Sequence, residues 1–149
     1  MARFNYRLQN VLNIKEKMES QAKSEFAFAN KKLQEEQDYL AVLIQRKMDY
    51  EEIVRQLFQE VPMNCLAITE NKNAVMKMEE FIMGQKARVH NAMNQLERQR
   101  ELLAISMQER KTHEILKDYA FEEFLQDEKV SEGKEIDELT SYKYGQKER

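Results

Sequence analysis

The four residues Val61-Pro62-Met63-Asn64 contain the one proline of this 149-residue chain. Proline lacks a backbone N–H and clashes with the preceding helical turn, so inside a helix it costs about 3 kcal/mol. Because the chain otherwise avoids proline and has only three glycines, it favours continuous helix on both sides. Pro62 therefore predicts a turn between two long helices. Asn64 or Thr69 would cap the second helix, and the sequence leaves both open.

The sequence before the turn has apolar residues at alternating spacings of three and four. Most of these positions are apolar, which is typical of a coiled-coil seam. They are Leu8, Leu12, Lys15, Glu19, Ala22, Phe26, Ala29, Leu33, Glu36, Leu40, Leu43, Lys47, Tyr50, Val54, Leu57 and Val61. Lys15 and Glu19 are charged where the seam should be apolar. The neighbouring Val11, Ile14 and Met18 offer an adjacent stripe, so we expect a local stutter there.

The sequence after the turn has a thinner seam with the same spacing. Its positions are Ile68, Asn71, Val75, Met78, Ile82, Gln85, Val89, Ala92, Leu96, Gln99, Leu103 and Ser106. Beyond Ser106 the seam fades, since Arg110, His113 and Lys117 occupy positions that should be apolar. The second segment is also longer than the first, so it should run past the end of an antiparallel partner. We expect the part beyond Ser106 to project increasingly alone.

These patterns predict an all-α protein, a long two-helix antiparallel coiled-coil hairpin forming a single domain. The expected bounds are helix 1 at about 5–60, a turn at about 61–67, helix 2 at about 68–139 and a frayed tail at 140–149.

Composition and motifs argue against catalysis. Cys65 is the single cysteine, so neither an internal disulfide nor a metal site of several thiolates can form. His90 and His113 would lie about 35 Å apart along one helix, too far to share a metal or a proton. No glycine-rich phosphate loop or paired-acid signature occurs. We therefore predict a non-enzymatic protein with no catalytic residue, cofactor, metal or small-molecule substrate.

Charge and hydropathy restrict the partners and the compartment. The formal net charge is −3, without the basic excess that nucleic-acid binding requires. The first residues form no apolar signal-peptide core. No run approaches the 18 apolar residues of a membrane span. These features predict a cytoplasmic protein that does not bind nucleic acid.

Two surfaces are candidates for binding another protein. Apolar residues off the seam or at its edge, near the turn, suit helix or groove binding, although plain packing is an equal alternative. They are Met76, Phe81, Met83 and Ala92. The run Glu109–Lys117 is a dense charge cluster at i,i+3 and i,i+4 spacings. Intrahelical pairing explains it, and a complementary surface on a partner is the alternative.

The N-terminal pattern Phe4-x-Tyr6-Arg7-Leu8-x-x-Val11-Leu12 is similar to the opening of the FliJ family of flagellar type III export proteins. The run from Glu109 to Lys117, followed by Phe124, Asp137 and Glu138, resembles the charged C-terminal half of that family. The resemblance covers essentially the whole chain.

The resemblance implies a fold like the central stalk of rotary ATPases and a place in the flagellar type III export apparatus. The implied partners are the hexameric export ATPase, the export gate membrane protein and export chaperones. The chain would couple the ATPase ring to the gate and escort the chaperones. It would be a monomer, peripherally associated with the cytoplasmic face of the membrane. The alternative is a self-associating structural coiled coil without an ATPase partner.

The resemblance also points to residues. It places Phe81 and Ile82 in a region that contacts the gate, where Gln85 and Arg88 replace a more apolar pattern. It also implies that the charged run around Arg110 and Lys111 fits the interior of the ATPase ring. The candidate partner-binding residues are Phe81, Ile82, Gln85, Arg88, Ala92, Arg110, Lys111, Glu114 and Lys117.

Overall fold

The computed structural model describes residues 2–147, with side chains as far as residue 145. Two helices form almost all of it: α1, Gln9–Gln59, and α2, Cys65–Lys147. Residues 60–64 connect them, and this described part of the chain contains no β-strand. The two helices pack against each other, which confirms the predicted all-α helical hairpin.

The helix bounds differ from the expected ones. α1 begins at Gln9, not near residue 5, because residues 2–6 are not helical. α2 begins at Cys65 and continues to Lys147, so the frayed tail expected from residue 140 is helical over that distance. No proline interrupts this stretch, and a glycine such as Gly145 costs only about 1 kcal/mol. The last two residues of the expected tail lie outside the described residues.

Asn64 caps α2. The Ala67 N–H donates to the Asn64 side-chain oxygen at 3.1 Å, and the Ile68 N–H donates to the Asn64 carbonyl at 3.1 Å. The other candidate, Thr69, lies inside the helix and donates its hydroxyl to the Cys65 carbonyl at 2.9 Å. The Val61–Pro62 peptide bond in the connection is cis. The connection between the helices is therefore residues 60–64, with the cap at Asn64 and not at Thr69.

The predicted seam of α1 is buried or half-buried from Leu12 to Leu57, whereas its two outermost positions are exposed. The predicted stutter is wrong. Glu19 is only 5% exposed and Lys15 is half-buried, while Ile14 and Met18 face water. The charged side chains remain in the seam because α2 supplies opposite charges to them.

The seam of α2 does not fade at Ser106. Arg110, His113 and Lys117 are half-buried, and the half-buried pattern continues through Phe124. The expectation that the helix projects alone from Ser106 is therefore corrected. Glu128 is the last half-buried residue of this pattern, and every residue from 131 to 145 is exposed. Ion pairs take the place of apolar contacts in the intervening turns.

The chain divides into two compact units, one formed by Met1–Gln21 with Ala104–Arg149 and the other by Ala22–Leu103. The first contains the start of α1 and the end of α2, and the second contains the turn. In each unit the two chain segments run antiparallel, because residue numbers fall on one segment as they rise on the other. The contacts that show this are Phe4–Phe121 and Lys15–Glu109 in the first unit, and Glu36–Gln85 and Lys47–Glu79 in the second. The single-domain description stays a prediction.

Within residues 2–147, neither helix contains a stretch that combines the length and the hydrophobicity of a membrane span.

The cap generates the first testable expectation. Asn64→Ala should lower the free energy of unfolding by about 1 kcal/mol, because the Ala67 N–H at the start of α2 loses its side-chain acceptor. Urea unfolding followed by circular dichroism measures this. Asn73→Ala, at an exposed position inside α2, is the matched control and should leave stability unchanged or slightly raised. Equal effects of the two substitutions would contradict the capping role.

Candidate partner-binding site

A groove in the Ala22–Leu103 unit brings two aromatic rings together at the side of the seam. Tyr39 on α1 and Phe81 on α2 are 50% and 53% exposed. Each directly precedes a seam residue, so both flank the seam. The groove has a volume of about 290 Å³, and its lining residues are Tyr39, Leu43, Glu80, Phe81, Gly84, Gln85 and Arg88. A Cβ at Gly84 would meet no atom within 4 Å, so the groove is open over that residue.

Gln85 forms a polar cross-link beneath this groove. It is only 4% exposed, and its Nε2 donates to the Glu36 carbonyl at 2.9 Å and to the Glu36 carboxylate. A buried amide that makes both bonds stabilises the helix pair, because leaving either group unpaired costs about 1–3 kcal/mol. Gln85 therefore fixes the helix that carries Phe81 against α1.

The predicted gate-region residues thus divide by environment. Phe81 and Arg88 are exposed and line the groove. Ile82 and Ala92 are half-buried seam residues, like the buried Gln85 between them. A partner on this side would meet Phe81 and Arg88 directly. It would also meet Tyr39, which the sequence reasoning missed although its place beside Leu40 in the seam pattern was a usable signal.

The methionines near the turn are exposed, as a partner surface requires. Met83 is 76% exposed and Met76 63%, so neither fills a gap in the seam. Met76 also lines a second groove of about 320 Å³, together with Glu51, Val54, Lys72 and Val75. Lys72 lies over the Phe58 ring, 5.2 Å from its centroid. This Met76 groove is mostly apolar, with one acid and one base at its rim.

The charge cluster of the other unit is largely engaged within the hairpin. Lys15 Nζ lies 3.0 Å from Glu109 Oε2. Arg110 donates through Nε to the Glu19 carboxylate and through Nη1 to Glu114 Oε2 at 2.8 Å. The two carboxylates raise the pKa of Arg110 further above its ordinary value, Glu114 more than Glu19. The guanidinium therefore keeps its charge at every pH at which the protein would be handled.

These contacts show where the predicted residues of the charge cluster lie. Arg110 and Glu114 make the expected intrahelical pair, and Arg110 also crosses to α1, which the sequence reasoning missed. Lys117 is half-buried and Lys111 is exposed. The sequence did contain a signal for these ion pairs between the two helices, because Lys15 and Glu19 place two opposite charges on the α1 seam. Of the cluster, Lys111 is the residue most available to another protein.

The N-terminal residues pack against α2 through an aromatic cluster. The Phe4 ring lies edge-on to Phe121 at 5.1 Å and tilted to Phe124 at 5.4 Å, between centroids. Such pairs add about 0.5–1.5 kcal/mol beyond the area that they bury. A cavity of about 420 Å³ adjoins the cluster, between residues 3–8 and four side chains of α2. Phe4, the first aromatic position of the N-terminal motif, therefore packs the N-terminal segment against α2.

A family model described as flagellar FliJ protein matches residues 4–149. The chain belongs to the FliJ family. Among solved structures, a YscO homologue from Chlamydia trachomatis has a TM-score of 0.78 at 23% identity, covering 93% of this chain and 94% of that chain. At this identity the likeness shows the fold. A search of the curated proteins found no match.

FliJ-family membership makes the chain a flagellar protein associated with type III export. The match begins at Phe4, the residue that anchors the N-terminal segment to α2. In the described residues, no three His, Cys, Asp or Glu side chains converge in a way that could hold a metal ion.

The buried charge pair generates the second expectation. Arg110→Leu leaves the Glu19 carboxylate in the seam without the cation on α2, so the thermal midpoint should fall by roughly 5 °C. Combining Glu19→Leu with Arg110→Leu replaces the pair by apolar contact and should recover most of the loss. Melting followed by circular dichroism gives the midpoints.

Arg98→Leu is the control for this comparison, because Arg98 is exposed and no ion pair of its side chain occurs among the described residues. Its midpoint should stay close to that of the parent chain. A double variant no more stable than Arg110→Leu alone would contradict the assigned pairing.

Proposed function

We propose that this FliJ-family protein couples the hexameric export ATPase to the export gate membrane protein, and escorts export chaperones, without catalysing a reaction. The observation that carries the proposal is the family match over residues 4–149. The proposed place of action is the cytoplasmic face of the membrane, where the chain associates peripherally through the gate. A hairpin with separate surfaces in its two units suits a protein that meets different partners at different places.

The proposed gate contact is the groove lined by Tyr39, Phe81 and Arg88, which we call the Phe81 groove. Two half-exposed aromatic rings offer apolar area with little conformational entropy to lose, and Arg88 adds a cation beside them. Aromatic and Arg side chains are the types that dominate binding energy at protein interfaces. Gln85 supports this surface from beneath, through its bonds to Glu36.

The proposed ATPase contact is the charged part of α2. Arg110 and Glu114 are occupied by each other and by Glu19, so they hold the helix in place. Lys111 is exposed on the same turn and is free to meet carboxylates on the ring. A charged contact of this kind guides association and orientation more than it adds affinity.

The proposed chaperone contact is the Met76 groove with Met83 beside it. Methionine side chains are flexible and polarizable, so one surface can adapt to several partners. The groove is open to solvent and lies near the turn. Escort of more than one chaperone would use this adaptability.

The gate contact is tested by Phe81→Ala. The variant should bind the purified cytoplasmic part of the gate protein at least tenfold more weakly, a typical loss for an aromatic residue at the centre of an interface. Biolayer interferometry measures the affinity. Met83→Ala is the matched control, since Met83 is more exposed than Phe81 and does not line the groove. If the control weakens gate binding as much as Phe81→Ala, the groove is not the contact.

The ATPase contact is tested by adding the chain to the purified export ATPase. The parent chain should stimulate ATP hydrolysis, and Lys111→Glu should weaken the stimulation, with a steeper loss at low salt. Lys86→Glu makes the same charge change at an exposed position in the other unit and should have little effect.

Sedimentation velocity separates the proposal from the structural alternative. A monomer that stimulates the ATPase supports coupling. A stable dimer or filament that leaves the ATPase unaffected would instead favour a self-associating coiled coil.

A further inference from the structure

The end of α2 continues beyond its packing partner. The seam residue Phe124 contacts Phe4 of the N-terminal segment, and from Phe124 the helix runs on to Lys147. That distance is about six helical turns. Every side chain from 131 to 145 is exposed. An isolated helix of this length is marginal in water unless something packs against it.

One side of this segment has a regular composition. At about 100° per residue, six side chains fall within about 80° of one another. They form a surface that we call the acidic–apolar face: Phe121, Leu125, Glu128, Glu132, Ile136 and Leu139. Its four apolar members are all exposed, and it extends over about 27 Å of helix. Exposed apolar residues aligned on one face commonly mark a protein-binding surface.

The charge on and around the acidic–apolar face is mostly negative. Residues 122–138 contain eight acids and two bases, and Glu128 and Glu132 lie between the two apolar ends of the face. Within the described part of the chain, neither of these glutamates has an ion-pair partner. This differs from the paired turns of the same unit, where Glu19 and Glu109 each have a cation.

We propose that the acidic–apolar face binds a basic amphipathic helix of another protein. The complementary helix has apolar side chains at both ends of its contact face and Lys or Arg between them. The apolar ends then pack against Phe121 with Leu125 and against Ile136 with Leu139. The central cations pair with Glu128 and Glu132, in the helix-on-helix mode of peptide recognition. The proposal concerns a separate surface and does not rest on the gate or ATPase contacts.

A second copy of this chain does not fit the face. Glu128 and Glu132 lie symmetrically about its midpoint, so antiparallel pairing of two copies would place these glutamates opposite each other. Parallel pairing in register would do the same. Like charges facing each other are destabilising. An anionic membrane surface would be repelled for the same reason.

The face adjoins an interface that already exists. Its first residue, Phe121, contacts Phe4 and Phe124, where the N-terminal segment packs on α2. A bound helix would therefore continue the packing of α2 from the aromatic cluster onward. The apolar surface of the cluster and that of the face would become one interface.

The test uses two synthetic helical peptides of about 25 residues, enough to span the face. One has Leu and Ile at both ends of a single side and two Lys between them, and the other has Glu in place of the two Lys. Fluorescence anisotropy measures their binding to the full chain. The Lys peptide should bind, more weakly as salt rises, and the Glu peptide should bind at least tenfold more weakly.

Variants of the chain locate the contact. Glu128→Lys with Glu132→Lys should weaken binding of the Lys peptide at least tenfold and should improve binding of the Glu peptide. Asp137→Lys with Glu138→Lys makes the same change in net charge on other sides of the helix, and should stay within about twofold of the parent. Glu128 is half-buried, whereas Glu132, Asp137 and Glu138 are exposed, so circular dichroism checks that both variants keep their helix content.

Several results would overturn the proposal. These are failure of the Lys peptide to bind, equal binding of both peptides, and equal losses in the two charge variants. Binding of the parent chain to phosphatidylserine vesicles through this segment would assign the face to a membrane instead. Concentration-dependent dimerisation abolished by Leu139→Asp would assign it to a second copy.

Discussion

A carboxylate that is buried away from water must be paired with a cation. The unit formed by Met1–Gln21 and Ala104–Arg149 depends on such a pair at Glu19. Glu19 occupies a seam position and is almost fully buried. Arg110 meets it from α2 and is held in turn by Glu114. A buried charge without its partner is strongly destabilising, so these two positions must face each other. The pairing of α1 with the later turns of α2 follows from that match.

This pairing decides which surfaces remain for other proteins. With Arg110 and Glu114 engaged in the hairpin, Lys111 is left at the surface of the charged turns. The aromatic cluster of Phe4, Phe121 and Phe124 then ends the paired part of α2. Beyond the half-buried Glu128, the helix from residue 131 to 145 is exposed, and residues 122–138 contain eight acids against two bases. In the other unit, Gln85 has a comparable role beneath the Phe81 groove, because it fixes α2 against Glu36.

Much of this architecture can be predicted from the sequence. The single proline locates the turn, and the spacing of three and four identifies the buried positions of α1 from Leu12 to Leu57. The stutter and the early end of the second seam were wrong for one physical reason. A pattern of local spacing assigns a charged residue to the surface. Glu19 is nevertheless buried, because a cation about 90 positions later in the sequence pairs with it. Phe81 could be recognised as a surface aromatic, but the burial of Gln85 depends on Glu36, which no local pattern reveals.

We expect a boundary in α2 between the turns that pack against other parts of the chain and the turns that do not. Hydrogen exchange of the chain tests this boundary most directly. Amides in residues 107–124 should exchange slowly, because the ion pairs hold these turns against α1 and the aromatic cluster holds them against the N-terminal segment. Amides in residues 131–145 should exchange much faster, as in an isolated helix. Equally fast exchange in both segments would contradict the account, since it would mean that the charged turns are not paired with α1.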